Sequence, residues 1–158
     1  MKPTFVLVGG AWHLPSYWDP LIAALADAGY DSVAVTLPSV NALQPVTTLQ
    51  PDADAVKEVL SDLVGKGKDV IVVMHSYGGS VGTEAVGDLV DGNREYASRI
   101  KRLVYLAAWY PSKGQAIAHA CAGLAPTIGD TNVCSRIHPI YIVSPFYKMR
   151  IFQVLIPT

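Results

Sequence analysis

The segment from Val70 to Leu89 constrains the fold more than any other part of the chain. It begins with four β-branched apolar residues and then runs through Met-His-Ser-Tyr-Gly-Gly into a segment whose apolar residues recur at helical spacing. This pattern predicts a strand, a sharp turn at Ser76 and a helix. A serine at such a turn projects above the sheet, beside the N–H groups that begin the helix. We therefore predict that Ser76 is a nucleophile next to a region of positive potential.

Length and charge exclude several classes of protein. The 158 residues are 51% hydrophobic, which is enough for one domain with a single core. The formal net charge is −1 with mixed signs along the chain, so no nucleic-acid partner is expected. No apolar stretch approaches the roughly 18 residues of a membrane span, and the short N-terminal run does not resemble a signal peptide. We expect no membrane association and a cytoplasmic location.

The remaining apolar runs predict an alternation of strands and helices. We expect an α/β fold with an open, mostly parallel sheet of about four core strands, flanked by helices and followed by an irregular tail. The predicted elements are a strand at Thr4–Val8, a helix capped by Ser16 and ended by Gly29, a buried strand at Asp31–Thr36, a helix opened by Pro51 and ended by Gly65, the strand and helix around Ser76, a turn at Asp91–Asn93 and a strand at Arg102–Ala107.

Three segments together resemble the α/β-hydrolases, and within them the small methylesterase and hydroxynitrile-lyase-like group with its short fungal relatives. They are Phe5–His13, the turn at His75–Gly79 and Lys101–Pro111. The resemblance predicts a hydrolase core over residues 1–115 and a divergent tail over residues 116–158, truncated or altered relative to the family. It also implies that the first strand lies between the second and the third, which places a ligand crevice at the switch in strand order.

The chain departs from the family pattern at two positions. The family surrounds its nucleophile with small residues, and Gly78 keeps that pattern, whereas Met74 stands at the other small position. We expect its flexible thioether to be accommodated in an irregular gap. Gly9 stands where the family usually has histidine, which changes the side-chain support of the first-strand loop but is still compatible with its backbone donors.

The resemblance also implies which groups carry the chemistry. The backbone N–H groups of Ala11 and Tyr77 would form an oxyanion hole for attack by Ser76 on a carbonyl carbon. The side chains of Trp12, His13, Tyr77 and Trp109 would line an apolar pocket for a small-molecule substrate. No cofactor or metal is implied. His13 is equally compatible with a structural role.

The acid and base of a catalytic triad are harder to find. The order expected for this fold is serine, acid, histidine, and in the tail Asp130 and His138 satisfy it. They are only eight residues apart, closer than the family places its acid and histidine. The competing interpretation is that Asp130 is an ordinary loop residue and His138 an ordinary surface residue. His75 is not expected to be the base, since neighbouring side chains in an extended segment point to opposite faces and His75 should point into the packing.

Three functional hypotheses follow from the sequence. The first is a serine hydrolase or esterase acting on a small ester or related carbonyl compound through Ser76. The alternatives are a catalytically incomplete member, either a binding module or a truncated product, and a cofactor-free lyase or dehydratase on the same scaffold. A nucleotide-binding fold is excluded, since neither glycine-rich turn has the G-x-G-x-x-G pattern.

Two further expectations concern the tail. Cys121 and Cys134 fit no metal motif, and we expect two free thiols. An uncovered edge at the fourth strand would favour self-association, unless the segment Ile140–Ile156 pairs with it.

Overall fold

A computed structural model describes residues 2–108 of the chain. Four parallel strands form one sheet in the order β2-β1-β3-β4. The strands are β1 (Thr4–Val8), β2 (Ser32–Val35), β3 (Val70–His75) and β4 (Ile100–Leu106). The predicted fold class and the predicted place of the first strand, between the second and the third, are both confirmed. The predictions for Trp109, Asp130, His138, the two cysteines and Ile140–Ile156 lie outside the described residues.

Four α-helices accompany the described strands. They are α1 (Asp19–Asp27), which follows a 3₁₀ turn at Pro15–Trp18, α2 (Gln50–Gly65), α3 (Gly78–Val90) and α4 (Arg94–Arg99). Helices α2 and α3 pack against each other and against one face of the sheet. Alternate strand residues point to this face, as the period of two requires, and join both helices in the main core. The fully buried core residues on these elements include Val6, Val8, Val56, Leu60, Val70, Val72, Met74, Val81 and Ala85.

The first helix begins later than predicted. Ser16 lies inside the 3₁₀ turn that Pro15 opens, and Trp18 occupies the N-cap position of α1 without a side-chain hydrogen bond. The predicted cap at Ser16 is therefore wrong. The predicted end at Gly29 is confirmed: this residue has a φ of 73° and donates its N–H to the Ala26 carbonyl at 2.8 Å. A left-handed residue after the last turn is the geometry that glycine adopts without steric cost.

Strand β2 is more exposed than predicted. It forms an edge of the described sheet, and Val35 is its one buried residue, so the expectation of a fully buried strand is wrong. The turn at 91–93 leads into α4, which the sequence did not predict. The Asn93 side chain accepts hydrogen bonds from the N–H groups of Glu95 and Tyr96, at 3.1 and 3.3 Å, and so caps this short helix.

Strand β4 forms the other edge of the described sheet. Self-association through this edge stays a prediction. None of the helices within residues 2–108 combines the length and the apolar character that crossing a bilayer requires.

Candidate functional site

Ser76 occupies a strained turn between β3 and α3. Its φ is 52°, in the left-handed region that non-glycine residues rarely adopt, at a cost of roughly 1–2 kcal/mol. Its N–H donates to the Leu106 carbonyl at 3.3 Å, and its carbonyl accepts from the Gly79 N–H at 3.0 Å. These bonds attach the turn to β4 on one side and to the first turn of α3 on the other. The predicted sharp turn at Ser76 is thus confirmed, while its role as nucleophile stays a prediction.

Gly78 allows α3 to begin directly against the end of β1. A Cβ atom at this position would lie 2.5 Å from the Gly9 carbonyl oxygen and 2.6 Å from that of Val8. Both are backbone atoms, which have little freedom to move aside. Only glycine permits this approach, and the approach brings the turn at Ser76 next to the loop that follows β1.

Met74 is accommodated by the absence of a side chain at Gly82. The methionine is fully buried, and its thioether covers the Gly82 backbone. A Cβ atom built at Gly82 would overlap the Met74 sulfur and lie 2.8 Å from its Cγ. The large residue at the family's small position is therefore matched by a missing side chain one turn into the facing helix.

The loop after β1 contacts the turn at Ser76 through Gly10. A Cβ atom at Gly10 would lie 3.1 Å from the Ser76 Cβ. The His13 N–H donates to the Gly10 carbonyl at 3.2 Å, which closes the loop into a tight turn, with Trp12 at a φ of 63°. Ala11 adjoins Gly10 in the chain, just as Tyr77 adjoins Ser76. The two backbone N–H groups predicted to form the oxyanion hole thus belong to two segments that are in contact.

Two histidines flank this contact. The rings of His13 and His75 meet edge to face with their centroids 5.1 Å apart, and His13 also meets the Tyr17 ring at 4.7 Å. A Cβ atom at Gly10 would lie 2.8 Å from the His13 Nδ1 and 3.1 Å from the His75 Nδ1. His75 is half-buried and packs against the ring of His13. The expectation that its side chain points away from Ser76 stays a prediction.

The environment of His75 disfavours its charged form. Partial burial lowers the pKa of His75 below its ordinary value of 6.5, and the positive charge of His13 lowers it further. Within residues 2–108, no hydrogen bond joins either imidazole to the Ser76 hydroxyl. The Nδ1 atom of His13 is buried without a partner in this part of the chain.

The predicted substrate-binding side chains differ in their surroundings. Trp12 is 89% exposed, whereas His13 and Tyr77 are half-buried. The Tyr77 hydroxyl donates to the Asp52 carboxylate at 2.9 Å. Burial raises the pKa of Tyr77, and the hydrogen bond to Asp52 and the negative charge of this carboxylate raise it further. The structure thus brings His13 and Tyr77 to the turn at Ser76 and leaves the Trp12 side chain in solvent.

Asp52 is the residue of this region that sequence reasoning missed. An aspartate in the first turn of a helix complements the helix dipole and needs no further role to explain its presence, but Asp52 is fully buried. A signal was present in the spacing, because Asp52 precedes Val56 by four residues and Leu60 by eight. That spacing places it on the helix face that enters the core.

The described residues contain no group of three histidine, cysteine, aspartate or glutamate side chains arranged to hold a metal ion. What this region offers chemically is a presented serine hydroxyl, backbone N–H groups on two adjoining segments and two partly buried imidazoles.

Comparison with known proteins places this geometry in a family. The model of the alpha/beta hydrolase family matches residues 5–152. A probable hydrolase, R7, from Phoma sp. is 34% identical over 77% of this chain and 49% of its own length. Methylesterase 7 from Arabidopsis thaliana is 31% identical over 68% of this chain and 40% of its own length. The chain thus spans less than half the length of these two relatives.

A solved structure of an alpha/beta-hydrolase also matches the fold of this chain. An extracellular alpha/beta-hydrolase from a Paenibacillus species, described as sharing structural and functional homology with Tobacco Salicylic Acid Binding Protein 2, aligns with a TM-score of 0.63. The two are 26% identical, and the alignment covers 92% of this chain and 56% of that one. A strained serine between strand and helix, the strand order and these matches together show that the chain belongs to the alpha/beta hydrolase family.

Proposed function

We propose that this protein is a serine hydrolase that cleaves small-molecule esters or related carbonyl compounds, with Ser76 as the nucleophile. The observation that carries the proposal is the left-handed Ser76, held between β3 and α3 in contact with the loop at Gly10. A strained strand-to-helix turn is how this fold exposes a nucleophilic hydroxyl. The similarity to a methylesterase supports an ester as the substrate.

In the proposed reaction, the Ser76 oxygen attacks the carbonyl carbon of the ester, and its proton passes to a base. The N–H groups of Ala11 and Tyr77 donate to the oxyanion that forms, a contribution of about 3 kcal/mol per donor. Collapse of the tetrahedral species breaks the bond to the alcohol, which leaves with the proton. Water then attacks the acyl-enzyme, releases the acid and restores the hydroxyl.

The base and acid in this proposal are His138 and Asp130. His138 would take the proton of Ser76, and Asp130 would orient the imidazole and stabilise its cation. Trp12, His13, Tyr77 and Trp109 would contact the substrate. Trp12 and Tyr17 support an apolar substrate group, since both present aromatic surface to solvent beside the loop that contacts Ser76, with exposed fractions of 89% and 66%.

A second candidate function is favoured by one observation. Within residues 2–108 the Ser76 hydroxyl has no base hydrogen-bonded to it, although His13 and His75 are both close. A chain that keeps the turn and the crevice but lacks an acid–histidine pair would bind carbonyl compounds without turning them over.

Labelling with a fluorophosphonate separates the two candidates. Attack by the Ser76 oxygen forms a bond to phosphorus and expels fluoride, and intact mass spectrometry then shows one phosphonyl group per chain. We expect stoichiometric labelling of the wild type, none of Ser76→Ala, and hydrolysis of p-nitrophenyl acetate by the wild type alone. The tail contains a second histidine, His119, which serves as the control. Loss of labelling in His138→Ala but not in His119→Ala would support His138 as the base. Absence of labelling in wild-type protein with a native circular dichroism spectrum would favour the binding function.

A further inference from the structure

A buried carboxylate lies directly behind the turn that presents Ser76. Asp52 is fully buried and accepts three hydrogen bonds from two residues. Its Oδ1 accepts from the Ser39 N–H at 2.8 Å, and its Oδ2 accepts from the Ser39 hydroxyl at 2.6 Å and from the Tyr77 hydroxyl at 2.9 Å. Hydrogen bonds to a buried carboxylate are short and strong, and losing one leaves a costly unpaired group.

The three bonds join parts of the chain that are distant in sequence. Ser39 belongs to the loop after β2, Asp52 to the first turn of α2, and Tyr77 to the residue pair between β3 and α3. Tyr77 follows the nucleophile directly. Its ring is packed against the main core, and its hydroxyl is held by Asp52. The side chain of Tyr77 is therefore fixed at both ends, which limits rotation of its backbone.

We propose that Asp52 is a positioning residue for the oxyanion hole, which it maintains by holding the Tyr77 hydroxyl so that the Tyr77 N–H keeps its direction beside Ser76. This inference rests on the proposed function, since it gives Asp52 a part in stabilising the oxyanion. Asp52 acts only through Tyr77. The bond to Ser39 contributes to the stability of the fold but does not bear on the direction of the Tyr77 N–H.

Two single substitutions form a matched pair. Tyr77→Phe and Ser39→Ala each remove one hydroxyl that donates to the same oxygen, Asp52 Oδ2, and each leaves the carboxylate with other donors. Tyr77→Phe keeps the packed ring, so it preserves the fold. We expect both variants to lose stability to a similar extent in urea denaturation. We expect the second-order rate of fluorophosphonate labelling to fall about tenfold in Tyr77→Phe and to change less than about twofold in Ser39→Ala.

A second measurement does not require a reactive serine. The N–H groups of Gly79 and Ser80 donate to the Ser76 and Tyr77 carbonyls, both at 3.0 Å. Hydrogen exchange of these two amides therefore reports whether the turn stays ordered. We expect exchange about tenfold faster in Tyr77→Phe and unchanged in Ser39→Ala.

The outcomes are distinguishable. Equal effects of the two substitutions on labelling and on exchange would assign Asp52 a structural role only and overturn the inference. If wild-type Ser76 is not labelled but exchange accelerates in Tyr77→Phe alone, the proposed function fails while the positioning of the turn by Asp52 stands. If wild-type Ser76 is labelled and Tyr77→Phe reacts at the same rate, the positioning inference alone fails.

Discussion

Met74 and Gly82 share one space between β3 and α3: the buried methionine thioether lies where a side chain at position 82 would begin. We expect Gly82→Ala to destabilise the protein by about 1–3 kcal/mol, because its methyl group forces Met74 out of its position in a closely packed core. Urea denaturation measures this change.

The effect of Gly82→Ala on stability should change sign when the Met74 side chain is shortened to alanine. In a Met74→Ala background the space is empty, so Gly82→Ala should stabilise the protein by up to about 1 kcal/mol through its higher helix propensity. Met74→Ala alone should cost about 2–5 kcal/mol. If the two substitutions changed the free energy of unfolding additively, the two side chains would not compete for the same space.

Gly78 and Gly87 provide a comparison within one helix. We expect Gly78→Ala to cost more than about 3 kcal/mol or to prevent folding, because its Cβ would meet two backbone carbonyl oxygens at 2.5 and 2.6 Å. A Cβ at Gly87 meets no heavy atom within 4 Å. Gly87→Ala should therefore be neutral or stabilising by about 0.5–1 kcal/mol. Thermal unfolding followed by circular dichroism checks both. Comparable losses at the two positions would show that the approach of α3 to β1 is not what requires glycine.

The strain at Ser76 should be measurable as a difference in stability between two variants that lack the hydroxyl. Ser76→Ala and Ser76→Gly both remove the hydroxyl, but only glycine adopts a φ of 52° without steric cost. We expect Ser76→Gly to be more stable than Ser76→Ala by about 1 kcal/mol. Calorimetry of the two proteins gives this difference. A more stable alanine variant would mean that the turn carries no such strain.

The pKa of His75 makes stability depend on pH. Since partial burial and the charge of His13 hold the pKa of His75 below 6.5 in the folded protein, the unfolded chain binds a proton first as the pH falls. The neutral His75 imidazole therefore contributes its full share of stability above pH 6.5, the pKa of the unfolded chain. This contribution is lost as the pH falls through 6.5 towards the lower pKa of the folded protein. We expect the free energy of unfolding, measured by urea denaturation at a series of pH values, to decline as the pH is lowered below 6.5.

Two variants test the origin of this pH dependence. His75→Gln should reduce the slope of the free energy of unfolding against pH in this window. His13→Gln should raise the pKa of His75 in an NMR titration of its ring, because it removes the neighbouring positive charge. A His75 pKa that does not change in His13→Gln would contradict electrostatic coupling of the two rings.

The sheet was the part of the fold most accessible from sequence. Short apolar runs predicted the four strands, and the family resemblance predicted their order. Helix α4 was missed because six residues, Arg94–Arg99, are too short to show helical periodicity. Ser16 was misassigned because a capping residue type is not evidence of a cap when Pro15 starts a 3₁₀ turn just before it.

The features of the site that depend on local sequence could be predicted, and those that depend on long-range contacts could not. The strained turn at Ser76 is specified by a local sequence, so it was visible at once. The contact between His13 and His75 joins residues 62 positions apart and occurs where Gly10 has no side chain to displace them, which no local pattern reports. The burial of Asp52 was not expected for a charged residue, although its spacing from Val56 and Leu60 places it on the helix face that enters the core. Long-range tertiary contacts were what the sequence did not reveal.

Gly10 and Trp12 lie in the same loop but in opposite surroundings, since the first is closely packed and the second is exposed. Gly10 is confined by His13, His75 and Ser76, so its replacement would disturb the backbone next to Ser76. Two residues later, the indole of Trp12 is 89% exposed and takes no part in the core. Replacing that side chain would therefore change the aromatic surface that the loop presents to solvent, while the backbone beside Ser76 and the core would keep their contacts.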